Sequence, residues 1–257
     1  GEPLAMFPDG VVQRMRVASS SALAARYLAR EDSSIMALFG SGWQAGSHVP
    51  AMCAVRPLKR INVFSPTKAN REAFVKEMQS KVSAEVRPVN SPEEAIRDAD
   101  MIAATTNSLS RVVSADWVKP GLHLTCVRVP ELGDDTIRKV DRLVIHAHQH
   151  APTNYVAGYG EAGIPAHDAI DIIKKGPAHA HEVDVEQPFW LSAPDLKDLV
   201  TGKAQGRANA QESTCFLNNI GIGLQFAAVG AALYAEAKAK GIGRELPTDW
   251  FLESVHP

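Results

Sequence analysis

Cysteine is scarce: Cys53, Cys126 and Cys215 are the only three in 257 residues. They are far apart, odd in number and nowhere at metal-ligand spacing. A disulfide framework and a cysteine-ligated metal are therefore excluded, and a reduced, cytoplasmic protein is expected. Long apolar runs are missing too. A bilayer-spanning helix needs roughly 20 consecutive apolar residues, and the most apolar stretch, 220–234, is interrupted by Gly221, Gly223, Gln225 and Gly230. No signal peptide is visible. Charge of one sign is lacking as well. Lys and Arg number 27 against 29 Asp and Glu, for a formal net charge of −2. With no basic tract beyond a few residues, neither nucleic acid nor a membrane surface is an expected partner. Internal repeats and low-complexity tracts are absent, and no serine sits in a nucleophile elbow, so hydrolase chemistry has little support.

What is present is ordinary globular usage, 45% hydrophobic and 22% charged, in a chain long enough to bury a sizeable core. From residue 34 apolar runs alternate with helical patterns. Strands are expected at 34–39, 61–65, 86–89, 101–105, 123–127 and 142–145, with helices at 43–55, 68–81 and after the capping sequence Ser91-Pro92-Glu93-Glu94. This alternation predicts an α/β protein built on a doubly wound parallel sheet. Ahead of it, Pro8-Asp9-Gly10 reads as the turn of a hairpin between 4–7 and 11–15, followed by a helix over 19–30. Beyond His146 the regularity fades. Helices are expected at 166–175 and 193–201, and a final one at 218–240 closes at Gly241 and Gly243. The opening Glu2-Pro3-Leu4-Ala5-Met6-Phe7 reads as mid-strand, so the natural protein is expected to carry residues ahead of it.

Gly40-Ser41-Gly42-Trp43-Gln44-Ala45 holds the most physical content. It follows an expected strand and opens an expected helix, the setting that a dinucleotide-binding turn requires. The first glycine permits the tight turn, the second lets a diphosphate approach the backbone, and Ala45 lets the helix pack close to the sheet. The free N–H groups of the helix start then face the phosphates. The end of the second strand bears on which nucleotide binds. A carboxylate there holds the ribose 2′-hydroxyl of NAD, and Phe64-Ser65-Pro66-Thr67-Lys68-Ala69-Asn70-Arg71 has none. Ser65, Thr67, Lys68 and Arg71 favour NADP, with NAD the alternative.

Several segments together resemble the ornithine cyclodeaminase/mu-crystallin family. These are Arg16-Val17-Ala18-Ser19 with the alanine-rich helix after it, the Gly40–Ala45 turn, and Ala99-Asp100-Met101-Ile102 leading to Thr105-Thr106-Asn107-Ser108. Gly121-Leu122-His123, Asn219-Ile220-Gly221 and Gly241-Ile242-Gly243 complete the set, and the match covers nearly the whole chain. The resemblance implies a Rossmann-type sheet plus part of a second, substrate and dimerisation domain whose N-terminal portion lies ahead of this sequence. It divides the chain into 1–30 of that domain, a dinucleotide-binding domain at 31–213 and a returning C-terminal helix at 214–257. It also implies a homodimer that moves hydride between a nicotinamide cofactor and a small α-imino or α-amino acid. Ornithine cyclodeaminase-type ammonia release and mu-crystallin-like ligand binding are the alternatives.

Residue by residue, the resemblance gives Arg16 the substrate carboxylate. It places Thr105, Thr106, Asn107, Ser108, Val127, Asn219 and Gly221 along the cofactor. The proton donor is left unidentified; in the family a lysine upstream of this chain is a candidate. Two departures stand out. Cyclodeaminases carry an aspartate after the fifth strand, where this chain has Val127-Arg128-Val129-Pro130-Glu131-Leu132, and Phe226 replaces a common acidic residue. Arg128 adds a second cation suited to an acidic substrate. His146, His148 and His150 alternate as metal ligands on a strand do. No cysteine or carboxylate pattern completes a site, so no metal is expected, and His148 or His150 is placed near the adenine or the domain cleft. Cys126 is expected to be a buried core thiol. Asp168 and Asp171 are expected on a solvent-facing helix.

Overall fold

The first strand reads Ile-Met-Ala-Leu-Phe, an unbroken apolar run, and such a run is stable only where both faces of a sheet are covered. The computed structural model, which describes residues 3–8, 10–148 and 188–251, builds a seven-stranded sheet around it. The strands are β1 Ile35–Phe39, β2 Arg60–Phe64, β3 Glu85–Pro88, β4 Met101–Ala104, β5 His123–Cys126, β6 Arg142–Ile145 and β7 Thr214–Leu217, in the order β3-β2-β1-β4-β5-β7-β6. All neighbours are parallel. The helices are α1 Val11–Leu28, α2 Trp43–Val55, α3 Lys68–Gln79, α4 Pro92–Ile96, α5 Asp134–Lys139, α6 Leu196–Val200 and α7 Gly223–Ala239.

Alternate side chains of β1 feed two cores. Met36 and Leu38 pack with Val49 and Met52 of α2 and with Phe74 and Met78 of α3. Ala37 and Phe39 pack on the other face with Ala95 of α4 and Ile137 of α5. The expected doubly wound parallel sheet is therefore present.

Four local expectations are corrected. Residues 11–15 are not the second arm of a hairpin but the opening of α1, which starts at a left-handed Gly10 (φ 81°) and runs unbroken to Leu28. Tertiary contacts override the turn signal: the Trp43 indole donates to Gly10 O at 3.2 Å, and the Arg14 guanidinium lies over the Trp43 ring at 4.2 Å. The returning segment does not begin at 214, because Thr214–Leu217 is the fully buried strand β7, inserted between β5 and β6. The strand's neighbours after Leu217 read as the start of the last helix, so its four residues are not set apart as a strand. The last helix starts at Gly223 rather than 218. Side chains hold the preceding residues out of it: Asn218 Nδ2 donates to Val17 O at 3.0 Å, and Asn219 Nδ2 to Ala147 O at 2.9 Å. The helix expected over 193–201 is only Leu196–Val200, preceded by a tight turn at Phe189–Ser192. The expected helix at 166–175, with Asp168, Asp171 and His150, lies outside the described residues. Among the described residues no helix is long and apolar enough to cross a membrane.

Candidate functional site

In an open parallel sheet, ligands bind beyond the carboxyl ends of the strands, where the strand order reverses. Here β1 has neighbours reached in opposite directions, β2 and β4, and a cavity of about 560 Å³ opens at their ends. It is lined by Gly40, Ser41, Gly42, Trp43 and Gln44 from the turn, by Ser65, Pro66, Thr67 and Asn70 after β2, and by Thr105, Thr106 and Asn107 after β4. A second cavity of about 340 Å³ is lined by Gln13, Arg16 and Val17 of α1, by Val127 and Arg128 after β5, and by Asn218 to Gly221 after β7. Gln44, Thr106 and Asn107 line both.

The turn has the features of a diphosphate cradle. Gly40 has φ +108°, and a Cβ on it would come within 2.7 Å of Thr105 O. A Cβ on Gly42 would meet nothing within 4 Å, so open space lies in front of the backbone where a diphosphate needs it. No side chain caps α2, which leaves its first N–H groups available to an anion. Ala45 is fully buried beneath the turn. Gln44 Oε1, at the junction of the cavities, is a buried acceptor without a partner among the described residues. These features fit a dinucleotide. Gly40→Ala is expected to cost about 2 kcal/mol or more in strain and crowding and to weaken nucleotide binding, read by urea unfolding and by nucleotide titration.

Two expected cofactor cations are not brought into the cavity. The Arg71 side chain is buried, donating to Ser65 O at 3.0 Å and to Asn90 Oδ1 at 2.9 Å. It ties the end of β2 to the loop after β3. Lys68 is exposed and leans toward Glu72 at 3.8 Å. Both were placed by charge alone, which cannot tell a ligand contact from a backbone brace. Ser108 lines neither cavity; its N–H donates to Thr106 Oγ1 at 3.1 Å.

The residue that sequence reasoning missed is Glu131. It is fully buried. One carboxylate oxygen accepts from Thr106 N at 2.6 Å and Thr106 Oγ1 at 2.7 Å, the other from Val127 N at 3.1 Å and Arg128 N at 2.9 Å. Burial raises its pKa, and those four hydrogen bonds act against the rise. Glu131 thus staples the loop after β4 to the loop after β5 and fixes the backbone from which Arg128 extends. The signal lay in the proline and glutamate opening the short turn Val129–Glu131.

Arg16 is half-buried between Gly221 and Phe226: a Cβ on Gly221 would lie 2.7 Å from its guanidinium carbon, and the Phe226 ring centroid is 5.1 Å away. Burial lowers its pKa, and its Nε has no partner among the described residues. A half-buried cation with no carboxylate partner among the described residues is a ready site for an anion. His146 is buried at the end of β6. Its Nδ1 meets Ile220 O and its Nε2 lies 2.6 Å from Gln225 Nε2, bracing the loop beside Arg16. Burial, with the nearby Arg16 charge, lowers its pKa against the effect of the Ile220 hydrogen bond. His148 turns elsewhere, its ring 2.8 Å from Ala193 O and 3.3 Å from Asp195, so the two do not converge. Among the described residues no three His, Cys, Asp or Glu are grouped to hold a metal. Cys126 is fully buried and burial raises its pKa well above the thiol range, so it is no nucleophile.

A model of the ornithine cyclodeaminase/mu-crystallin family matches residues 1–241. A putative dehydrogenase of Rhizobium meliloti is 31% identical over 243 residues, covering 93% of this chain and 67% of the relative. A Δ1-pyrroline-2-carboxylate reductase of Bacillus cereus is 27% identical over 251 residues, covering 96% and 70%. The structure of Thermococcus litoralis Δ1-pyrroline-2-carboxylate reductase in complex with NADH and L-proline superposes with a TM-score of 0.71 at 27% identity, covering 92% of this chain and 68% of the other.

Proposed function

The chain belongs to the ornithine cyclodeaminase/mu-crystallin family, and from that premise we propose that it is a nicotinamide-dependent oxidoreductase acting on the carbon–nitrogen bond of a small α-imino or α-amino acid. One observation carries the reading: the glycine-turn cavity runs through shared residues into a second cavity where Arg16 has no carboxylate partner among the described residues. Held by the α2 N–H groups, a reduced nicotinamide dinucleotide would supply a hydride for the α-carbon, the proton for the imine nitrogen being drawn from water. The chain's own groups do the positioning. The free N–H groups opening α2 hold the diphosphate. Thr105, Thr106 and Asn107 line the path between the cavities. The Arg16 fork grips both carboxylate oxygens and so fixes the α-carbon. Glu131 keeps both strand-end loops in register.

At the far end of the groove, Ser65, Thr67 and Asn70 line the wall with no carboxylate to repel a 2′-phosphate. That favours a 2′-phosphate and hence NADP. We read α1 and α7 as parts of a substrate and dimerisation unit, the exposed apolar residues of α7 (Leu224 is 75% exposed) meeting a second copy. A cyclodeaminase reading lacks its aspartate, since the run 127–132 holds none and its one carboxylate, Glu131, is taken up by backbone N–H groups and Thr106.

The test is to incubate the protein with Δ1-pyrroline-2-carboxylate and either reduced nucleotide. Stoichiometric nucleotide oxidation is expected, with NADPH favoured about tenfold over NADH, the worth of one charge-assisted contact. Ammonia release from ornithine without net oxidation would support cyclisation instead, and binding without turnover a ligand carrier.

A further inference from the structure

The second cavity carries two guanidinium groups, Arg16 and Arg128, and no aspartate or glutamate among its described lining residues. We infer that the substrate is a dicarboxylate, an α-imino or α-amino diacid whose distal carboxylate is taken by Arg128. The inference rests on the oxidoreductase reading for the reaction, but not for the binding.

Three observations point the same way. First, pairing: a monocarboxylate meets Arg16 alone, whereas a diacid gives the exposed Arg128, which lines the same cavity, a carboxylate as well. Second, Arg128 is anchored for the task. Its N–H is held at 2.9 Å by the buried Glu131 carboxylate, so the side chain starts from a fixed point. Among the described residues its Nη1 rests against Asn107 O and Ser108 O, at 3.5 and 3.4 Å, long contacts that a carboxylate would readily replace. Third, Arg128 is in the wrong place for the cofactor's phosphates. It is absent from the lining of the glycine-turn cavity, and its strand β5 is separated from β1 by β4. Arg16, on α1, lines the same cavity as Arg128, which follows β5, so two guanidinium groups from different elements face one space.

The experiment compares substrates that differ only in the distal group: 2-oxoglutarate against 2-oxovalerate, and oxaloacetate against 2-oxobutyrate, each with ammonia and reduced nucleotide. At least one diacid is expected to exceed its matched monoacid about tenfold or more in kcat/KM. Arg128→Ala should bring that ratio to near unity, and Arg128→Lys should keep part of the preference. A binding arm needs no turnover: L-glutamate and L-aspartate against L-norvaline and L-2-aminobutyrate, titrated onto the protein with oxidised nucleotide bound. Diacid binding that depends on Arg128 without turnover would uphold this inference and sink the reductase reading. Preference for both monoacids, or an unchanged ratio in Arg128→Ala, would overturn the inference whatever the reaction proves to be.

Discussion

Arg16→Ala is expected to lower kcat/KM for the imino acid by about 10²–10³-fold, with nucleotide affinity held within about twofold. A bidentate guanidinium–carboxylate contact in a partly desolvated site is worth roughly 3–4 kcal/mol when it also orients the reacting carbon. Arg16 lies in the second cavity and not in the one at the glycine turn, so the loss should fall on substrate alone. Arg16→Lys keeps the charge but loses the fork, and should recover only a small part of the rate. Stability should not fall with activity. The side chain's pKa is lowered by burial with no compensating pairing, so removing it relieves a desolvation cost. A variant that lost nucleotide binding in parallel, or kept full activity, would place the substrate carboxylate elsewhere.

The second large effect concerns acid. His48 and His123 are both fully buried. Burial lowers His48 to about 4, partly opposed by its hydrogen bond to Gln44 O, and lowers His123 to about 3, helped by the charges of Arg207 and Arg56. Each ring is neutral in the fold. His48 Nδ1 meets Gln44 O at 2.8 Å and its Nε2 meets Ser21 Oγ at 3.3 Å, while His123 Nδ1 meets Thr214 Oγ1 at 2.9 Å. Above pH ~6.5 neither state binds a proton at these sites and there is no effect. Below it the unfolded chain takes up protons that the folded protein refuses, so stability falls with pH from about 6.5 toward the folded values. By pH ~5 each histidine accounts for about 2 kcal/mol, and the pair for about 4. Urea midpoints taken between pH 7 and 5 should show the decline, and His123→Asn should shallow it. A flat profile would mean that these rings are hydrated or paired.

The parts of the fold set by local chemistry were legible in the sequence. The apolar run of β1, the Gly40–Ala45 turn and the Ser91 cap each carry their own geometry, and Ser91 Oγ does accept the Glu94 N–H at 3.1 Å. What escaped was decided at a distance. The start of α1 depends on Trp43, thirty-three positions along from Gly10. The strand β7 pairs with segments far earlier in the chain and lies outside the strand–helix alternation that revealed the others. Arg71 has the composition of a phosphate ligand and the geometry of a brace, and Glu131 was noticed only as the absence of an aspartate. In the last two cases the residue type was visible, and its partners, which decide its job, were not.

The most direct measurement is isotopic. Reduced nucleotide deuterated at nicotinamide C4 is supplied with a cyclic imino acid or with a 2-oxo acid and ammonia, and the amino acid product is examined by mass spectrometry and NMR. One deuterium at the α-carbon, from one face of the nicotinamide only, is predicted. Product without deuterium, ammonia release with the nucleotide unchanged, or no product from any imino acid under saturating nucleotide would contradict hydride transfer at this site.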